Sequence, residues 1–327
     1  MTKIKTTLAG LALCIGSLFI FFGGKDDDLQ PSPQVMVNQV ASSEVNKAAV
    51  DATTTLQPAS TLSSLAKMGQ DYSTSRNARS FVANAKLRPD LGGYTFAGQI
   101  LAECDVIGIN RYRELRYLPK ESQADFAKRS QVAQFWYQRC QGLLDSEANV
   151  LATVDLHKEA LKNNDALAQL SERIDKAIAN KNRVEVRAAL QQLLAMKPPL
   201  IMGHALYSIA RSEAAFYQDR GTHETGMWFD GKVRLDAEEQ FYYFALDLLS
   251  CSFGNICDQY DTYVVDACLA GGGCYPDRFT YIRNVTMART FAKYPEAAEK
   301  MYQSLLAMHQ RLVAAIERGD VDAFMRP

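Results

Sequence analysis

Histidine, tryptophan and excess charge are all scarce in this sequence. Among 327 residues there are four histidines and two tryptophans, and 36 Lys and Arg set against 37 Asp and Glu leave a formal charge of -1 at pH 7. Imidazole chemistry near neutral pH can therefore draw only on His157, His204, His223 and His309. A nearly balanced charge provides no long-range field for an anionic polymer, so nucleic acid is not an expected partner. Gly-x-Ser-x-Gly, His-Glu-x-x-His, the phosphate-binding glycine loop and the dinucleotide fingerprint are all missing. No cofactor and no metal is expected.

What is present is ample apolar material. Hydrophobic residues make up 47% and charged residues 22%, enough for a sizeable core. From Thr6 to Gly24 no residue is charged, and Leu8 to Phe22 is almost continuously apolar. Lys3 and Lys5 precede this stretch and Lys25 and Asp26 to Asp28 follow it, a bias that keeps the N-terminal tail cytoplasmic and exports the body. The length matches the roughly 17 to 25 residues that span a bilayer. Cleavage after Gly23 or Gly24 would put Phe21 or Phe22 where a signal peptidase wants a small residue. Residues 1–24 are therefore expected to be an uncleaved signal-anchor, a single transmembrane helix in the inner membrane with the body in the periplasm; secretion after cleavage is the alternative. Residues 25–70, rich in Ser, Thr, Gln, Ala and Pro, read as a flexible tether with a root-mean-square span of roughly 35 to 40 Å.

Residues 71–327 read as one helical domain. Apolar residues recur every three or four positions in Phe96, Ile100, Cys104, Ile107; Val132, Trp136, Cys140, Leu143; and Leu167, Leu170, Ile174, Ile178. Val186, Leu190, Leu193 and Met196 continue the pattern up to Pro198 and Pro199, and further stripes run through Phe241, Phe244, Leu248, through Tyr260, Val264, and from Met301 to Ile316. Strand-like alternation is nearly absent. Pro276 and Pro295 suit first helical turns. The expectation is all-α: nine or ten helices in an irregular bundle or stack of antiparallel helical hairpins, stapled by disulfides.

Apart from Cys14, the cysteines are Cys104, Cys140, Cys251, Cys257, Cys268 and Cys274, an even set that in an exported domain reads first as disulfides. If residues 257–268 form one helix, its two cysteines lie about 16 Å apart and cannot pair. Each flanking turn, SFGNI and LAGGG, would instead join its own two cysteines, which leaves Cys104 with Cys140. Zinc is disfavoured because both short pairs enclose five residues, whereas structural zinc pairs usually enclose two to four. The segment LLSCSFGNICDQYDTYVVDACLAGGGC, with the weaker GGYTFAGQILAECD and YQRCQGLL, resembles a loose group of uncharacterised exported bacterial helical proteins with paired Cys-x5-Cys turns. The resemblance implies fold and compartment, and no activity.

One polar segment invites chemistry. In QDRGTHETGMWFDG, Asp219, Arg220, His223, Glu224, Trp228 and Asp230 crowd a glycine-punctuated connection between long helices. His223 and Glu224 are catalytic candidates for acid–base work, with Glu213 a third, and Trp228, Arg220 and Asp230 are binding candidates. A solvated connection is the competing reading, with Trp228 folded onto the core. His204, in an apolar run, is expected to be a hydrogen-bonded core residue on a different face from Glu213. NRYRELRYLPK is expected to be a solvated helix face. The functional expectation is a non-enzymatic binding or scaffolding protein of the cell envelope with an envelope protein as partner. The alternatives are a cell-wall glycan or peptide hydrolase or lyase, and a protein that neutralises a toxin by binding it.

Overall fold

The computed structural model describes residues 63–106, 115–144, 151–218, 226–234, 236–290 and 292–326. The expected anchor, nearly all of the tether and Ile107 lie outside these residues. No helix among the described residues is long and apolar enough to cross a membrane. The chain is predominantly helical, and the described part falls in one unit, Leu56–Pro327.

Helix α1 (Ser64–Thr74) begins seven residues before the expected domain boundary. Its N-cap is Ser63, whose hydroxyl accepts from Ala66 N at 3.1 Å. Leu65, Gly69 and Tyr72 form its buried stripe. The central position is glycine because the turn 253–256 lies directly on it: a Cβ on Gly69 would stand 3.0 Å from Asn255 Oδ1, and one on Gly254 would stand 2.8 Å from Ala66 Cα. Ile256 N also donates to Ser73 Oγ at 3.1 Å.

Helices α2 (Ala78–Ala85), α3 (Gly93–Val106), α4 (Gln123–Leu144), α5 (Leu151–Lys162), α6 (Ala166–Ala179), α7 (Arg183–Met196) and α8 (Met202–Gln218) follow. Asp165, fully buried, caps two of them: Oδ1 accepts from Ala168 N of α6 at 2.9 Å and Oδ2 from Tyr94 N of α3 at 2.8 Å. The turn at 180–182 leads directly from α6 into α7, which packs on it, and α7 stops where Lys197 turns left-handed ahead of Pro198.

The all-helical expectation fails at one place. Strands β1 (Met227–Phe229) and β2 (Lys232–Arg234) form an antiparallel hairpin through Asp230 (φ 52°) and Gly231 (φ 80°). Asp-Gly with two positive φ angles is the favoured two-residue hairpin connection. Then come α9 (Asp236–Asp247), α10 (Leu249–Ser252), α11 (Thr262–Leu269), α12 (Arg278–Tyr281), a π-helical turn at Ile282–Met287, α13 (Ala288–Thr290), α14 (Pro295–Arg318) and α15 (Val321–Phe324). Eleven of the described helices have eight residues or more, against the nine or ten expected. Pro295 opens α14 as expected, but Pro276 precedes the N-cap Asp277 and lies outside α12. Residues 115–118 of the arginine-rich segment are irregular rather than helical, because they lead into the turn at 119–120; residues 110–114 lie outside the described part.

Most of the expected stripe residues are core, with Ile178, Met196, Phe244, Tyr260 and Met301 only partly buried against it. Ile174, Leu190, Leu193, Leu312 and Ile316 meet Phe229 and Phe324 in one cluster, Tyr72, Phe96, Ile100, Trp136 and Val265 form a second, and Phe241, Leu248 and Leu305 belong to a third. The three disulfides are Cys104–Cys140, Cys251–Cys257 and Cys268–Cys274, with Cα separations of 5.7, 5.5 and 4.2 Å. The pairing is the expected one, although α11 starts only at Thr262, after its cap Asp261, so Cys257 lies in irregular chain.

Candidate functional site

The described candidates of the polar segment are engaged in internal bonds. Trp228 is 9% exposed and no platform for a ligand; the Arg326 guanidinium lies 4.5 Å above its ring, and the indole Nε1 is buried without a hydrogen-bond partner. Asp230, exposed at the hairpin turn, pairs with Arg311, while its amide donates to Ala323 O at 2.7 Å. Arg220, His223 and Glu224 lie within 219–225, outside the described residues.

Glu213 is fully buried on α8. Its carboxylate accepts from Arg183 Nε at 3.1 Å and Nη2 at 2.9 Å, and from Arg326 N at 3.2 Å, while Arg183 also reaches Arg326 O at 2.8 Å. This bidentate pair fastens the last residues to α7 and α8. A carboxylate so occupied is suited to holding the chain together and poorly suited to moving protons.

The histidines also depart from expectation. His204 is exposed on α8, not a core residue: Gly203 before it packs on the Leu246 backbone, which turns the next position outward. It does lie on a different face from Glu213. Among the described residues the buried histidine is His309, whose Nε2 is 3.1 Å from Ser252 Oγ and whose ring burial holds below the usual imidazole pKa.

Two buried polar clusters went unnoticed in the sequence. In the first, the Tyr72 hydroxyl donates to Glu103, Gln99 Nε2 donates to Glu103 Oε1 at 3.1 Å, and Arg139 Nη2 lies 3.6 Å from Glu103 Oε2. Burial pushes the Glu103 carboxyl up despite the nearby guanidinium, and raises the Tyr72 phenol well above its ordinary value. Arg139 also donates to Ser73 O and Ser75 O at 3.1 and 3.2 Å, tying α4 to the end of α1.

The second cluster surrounds Arg278, itself buried. Its Nε donates to Asp261 Oδ1 at 3.0 Å and its Nη1 to Asp247 O at 2.6 Å and Ser250 Oγ at 3.0 Å. Asp247 accepts from Tyr263 Oη at 3.1 Å. Desolvation raises the Asp247 carboxyl to about 6, against the counteracting charge of Arg278. The cluster joins the end of α9 to α11 and α12. A lone acid in the apolar run YFALDLLSC is the only local signal of it.

Surface openings complete the inventory. An open cleft of about 490 Å³ lies on the α6–α7 hairpin, lined by Gln169, Glu172, Arg173, Lys176, Asn180 and Glu185 among others. A smaller one, about 320 Å³, is walled by residues 118–121, Arg129 and the Cys268–Cys274 turn. No three His, Cys, Asp or Glu among the described residues are grouped so as to hold a metal ion. No family model, curated protein or solved structure matches the chain.

Proposed function

We propose that this chain is a binding or scaffolding protein of the cell envelope, held at the inner membrane by residues 6–24, with its stacked helical hairpins facing the periplasm and contacting another protein. The observation that carries this reading is the employment of the described candidate groups. Glu213 and Asp230 are committed to Arg183 and Arg311, and Trp228 is covered. The α6–α7 cleft, where Arg173 pairs with Glu185 and Lys176 with Glu172, presents both signs of charge and two asparagines on an open helical surface, which suits a polar segment of a partner. Three disulfides suit an oxidising compartment.

The test is crosslinking in cells with affinity-tagged full-length protein, capture from solubilised membranes and mass spectrometry. A stoichiometric envelope protein, lost on Arg173→Glu together with Lys176→Glu, supports the reading. Recovery of wall fragments without a protein would shift the weight to a hydrolase, with His223→Ala and Glu224→Gln as the variants to assay. Capture of an exported toxin would identify the role as neutralisation.

A further inference from the structure

The three disulfides have different surroundings. Cys104 and Cys140 are buried in two long helices, 6% and 0% exposed. The loop from Cys251 to Cys257 is half-exposed but hydrogen-bonded to other elements, Ile256 N to Ser73 Oγ at 3.1 Å and Arg278 N to Cys257 O at 3.0 Å. The loop from Cys268 to Cys274 is different. Its hydrogen bonds among the described residues stay close at hand, Gly271 N to Cys268 O at 3.1 Å, Gly272 N to Ala267 O at 2.8 Å and Tyr275 Oη to Gly272 O at 3.4 Å. Three consecutive glycines, 271 to 273, make it the most easily rearranged of the three. Both of its cysteines line the 320 Å³ cleft, beside the exposed Lys120.

We propose that Cys268–Cys274 is a thiol-exchange site whose co-reactant is a dithiol, presented by a protein or supplied as two small thiols. Cys268 is 1% exposed while Cys274 is half-buried at the cleft, so attack is directed to the sulfur of Cys274, the more open residue of the pair. An entering thiolate forms a bond to Cys274 Sγ; the Cys268–Cys274 bond breaks, and its electron pair leaves with the Cys268 sulfur, which takes a proton from water in the cleft. Lys120 and Arg129 line the same opening together with Glu121 and Asp125, so its charge is balanced and the attacker is admitted by access alone. A second thiolate from the donor then attacks the donor's own sulfur in the mixed disulfide and releases Cys274. The donor leaves oxidised, and two electrons and two protons have passed to the cysteine pair.

The experiment exposes the native full-length protein to increasing reduced glutathione, quenches with iodoacetamide and maps the labelled peptides. Cys268 and Cys274 are expected to label about tenfold or more faster than Cys251 and Cys257: Cys274 is no more exposed than Cys251 or Cys257, but its loop of exposed glycines can open without breaking a hydrogen bond to another element. Earlier opening of Cys251–Cys257, or simultaneous opening of all three together with loss of helical circular dichroism, would overturn the assignment. A Cys268→Ser variant adds an independent readout. Its freed Cys274 should take up one glutathione from oxidised glutathione, and a folded variant without that adduct would also overturn the proposal.

Discussion

The Tyr263 hydroxyl donates to Asp247 Oδ1 at 3.1 Å, so a phenol on α11 reads the protonation state of a carboxyl at the end of α9. Desolvation raises that carboxyl to about 6, above its unfolded value of 3.8. A group raised on folding contributes stability that is fully present below the unfolded value and is lost as pH rises through the folded one. Stability associated with Asp247 should therefore fall between about pH 4 and pH 6. Arg278 opposes the fall, while Tyr243 and Tyr263 face the same carboxyl. Asp247→Asn keeps an acceptor for Tyr263 and cannot ionise. Its unfolding free energy should match that of wild type near pH 4 and exceed it at pH 7.5, by up to about 3 kcal/mol at 1.36 kcal/mol per pKa unit. An unchanged difference across that range would show that Asp247 titrates normally.

Glu213 gives the sharpest separation of a structural from a catalytic role. Removing one partner of a buried ion pair costs about 3 to 5 kcal/mol. Glu213→Ala should lie at the lower end, because the Arg183 side chain is 36% exposed and can recover water. A variant of full stability would contradict the role derived from its bonds to Arg183 and Arg326.

Gly254 should not tolerate a side chain. Its φ of 128° and the 2.8 Å approach of a new Cβ to Ala66 Cα act together, so Gly254→Val should lift α1 off the turn. Hydrogen exchange of amides 65–74 would report this as lost protection in α1, with α6 and α7 unaffected.

Trp228→Phe tests a buried donor without a partner. Replacing the indole by a ring that has no N–H removes an unsatisfied group while retaining most of the packing under Arg326. Thermal unfolding should show a change within about 1 kcal/mol of zero, since deleting an unmet polar group offsets the lost ring volume. A loss of several kcal/mol would mean that Nε1 has a bonding role in solution.

Legibility in the sequence followed the reach of each interaction. The cysteine pairs could be assigned because covalent geometry leaves few options, and the stripes at Phe96, Leu190 and Leu312 could be assigned because helical period repeats locally. Helix α1 was hidden by Gly69, which interrupts its apolar stripe where the turn 253–256 needs room. The hairpin was hidden by strands of three residues, too short to show alternation, although Asp230–Gly231 named its turn. The Asp247–Arg278 cluster joins residues 31 positions apart, and nothing in either neighbourhood points to the other. Of the polar segment, Trp228 and Asp230 were located and found engaged, while His223 and Glu224 lie outside the described residues.

The seat of α1 has a mechanical consequence. The far end of this helix is fastened by Arg139 to Ser73 O and Ser75 O and by Ile256 to Ser73 Oγ. Traction on the N-terminal side would peel α1 turn by turn from Leu65 and reach its strongest fastening last. There it meets a loop closed by Cys251–Cys257, which cannot lengthen while the sulfur bond holds. The helix is a strain relief for the cluster around Ile174 and Leu190, to which it contributes no residue, while its own Leu65 and Tyr72 take the load first in the second cluster.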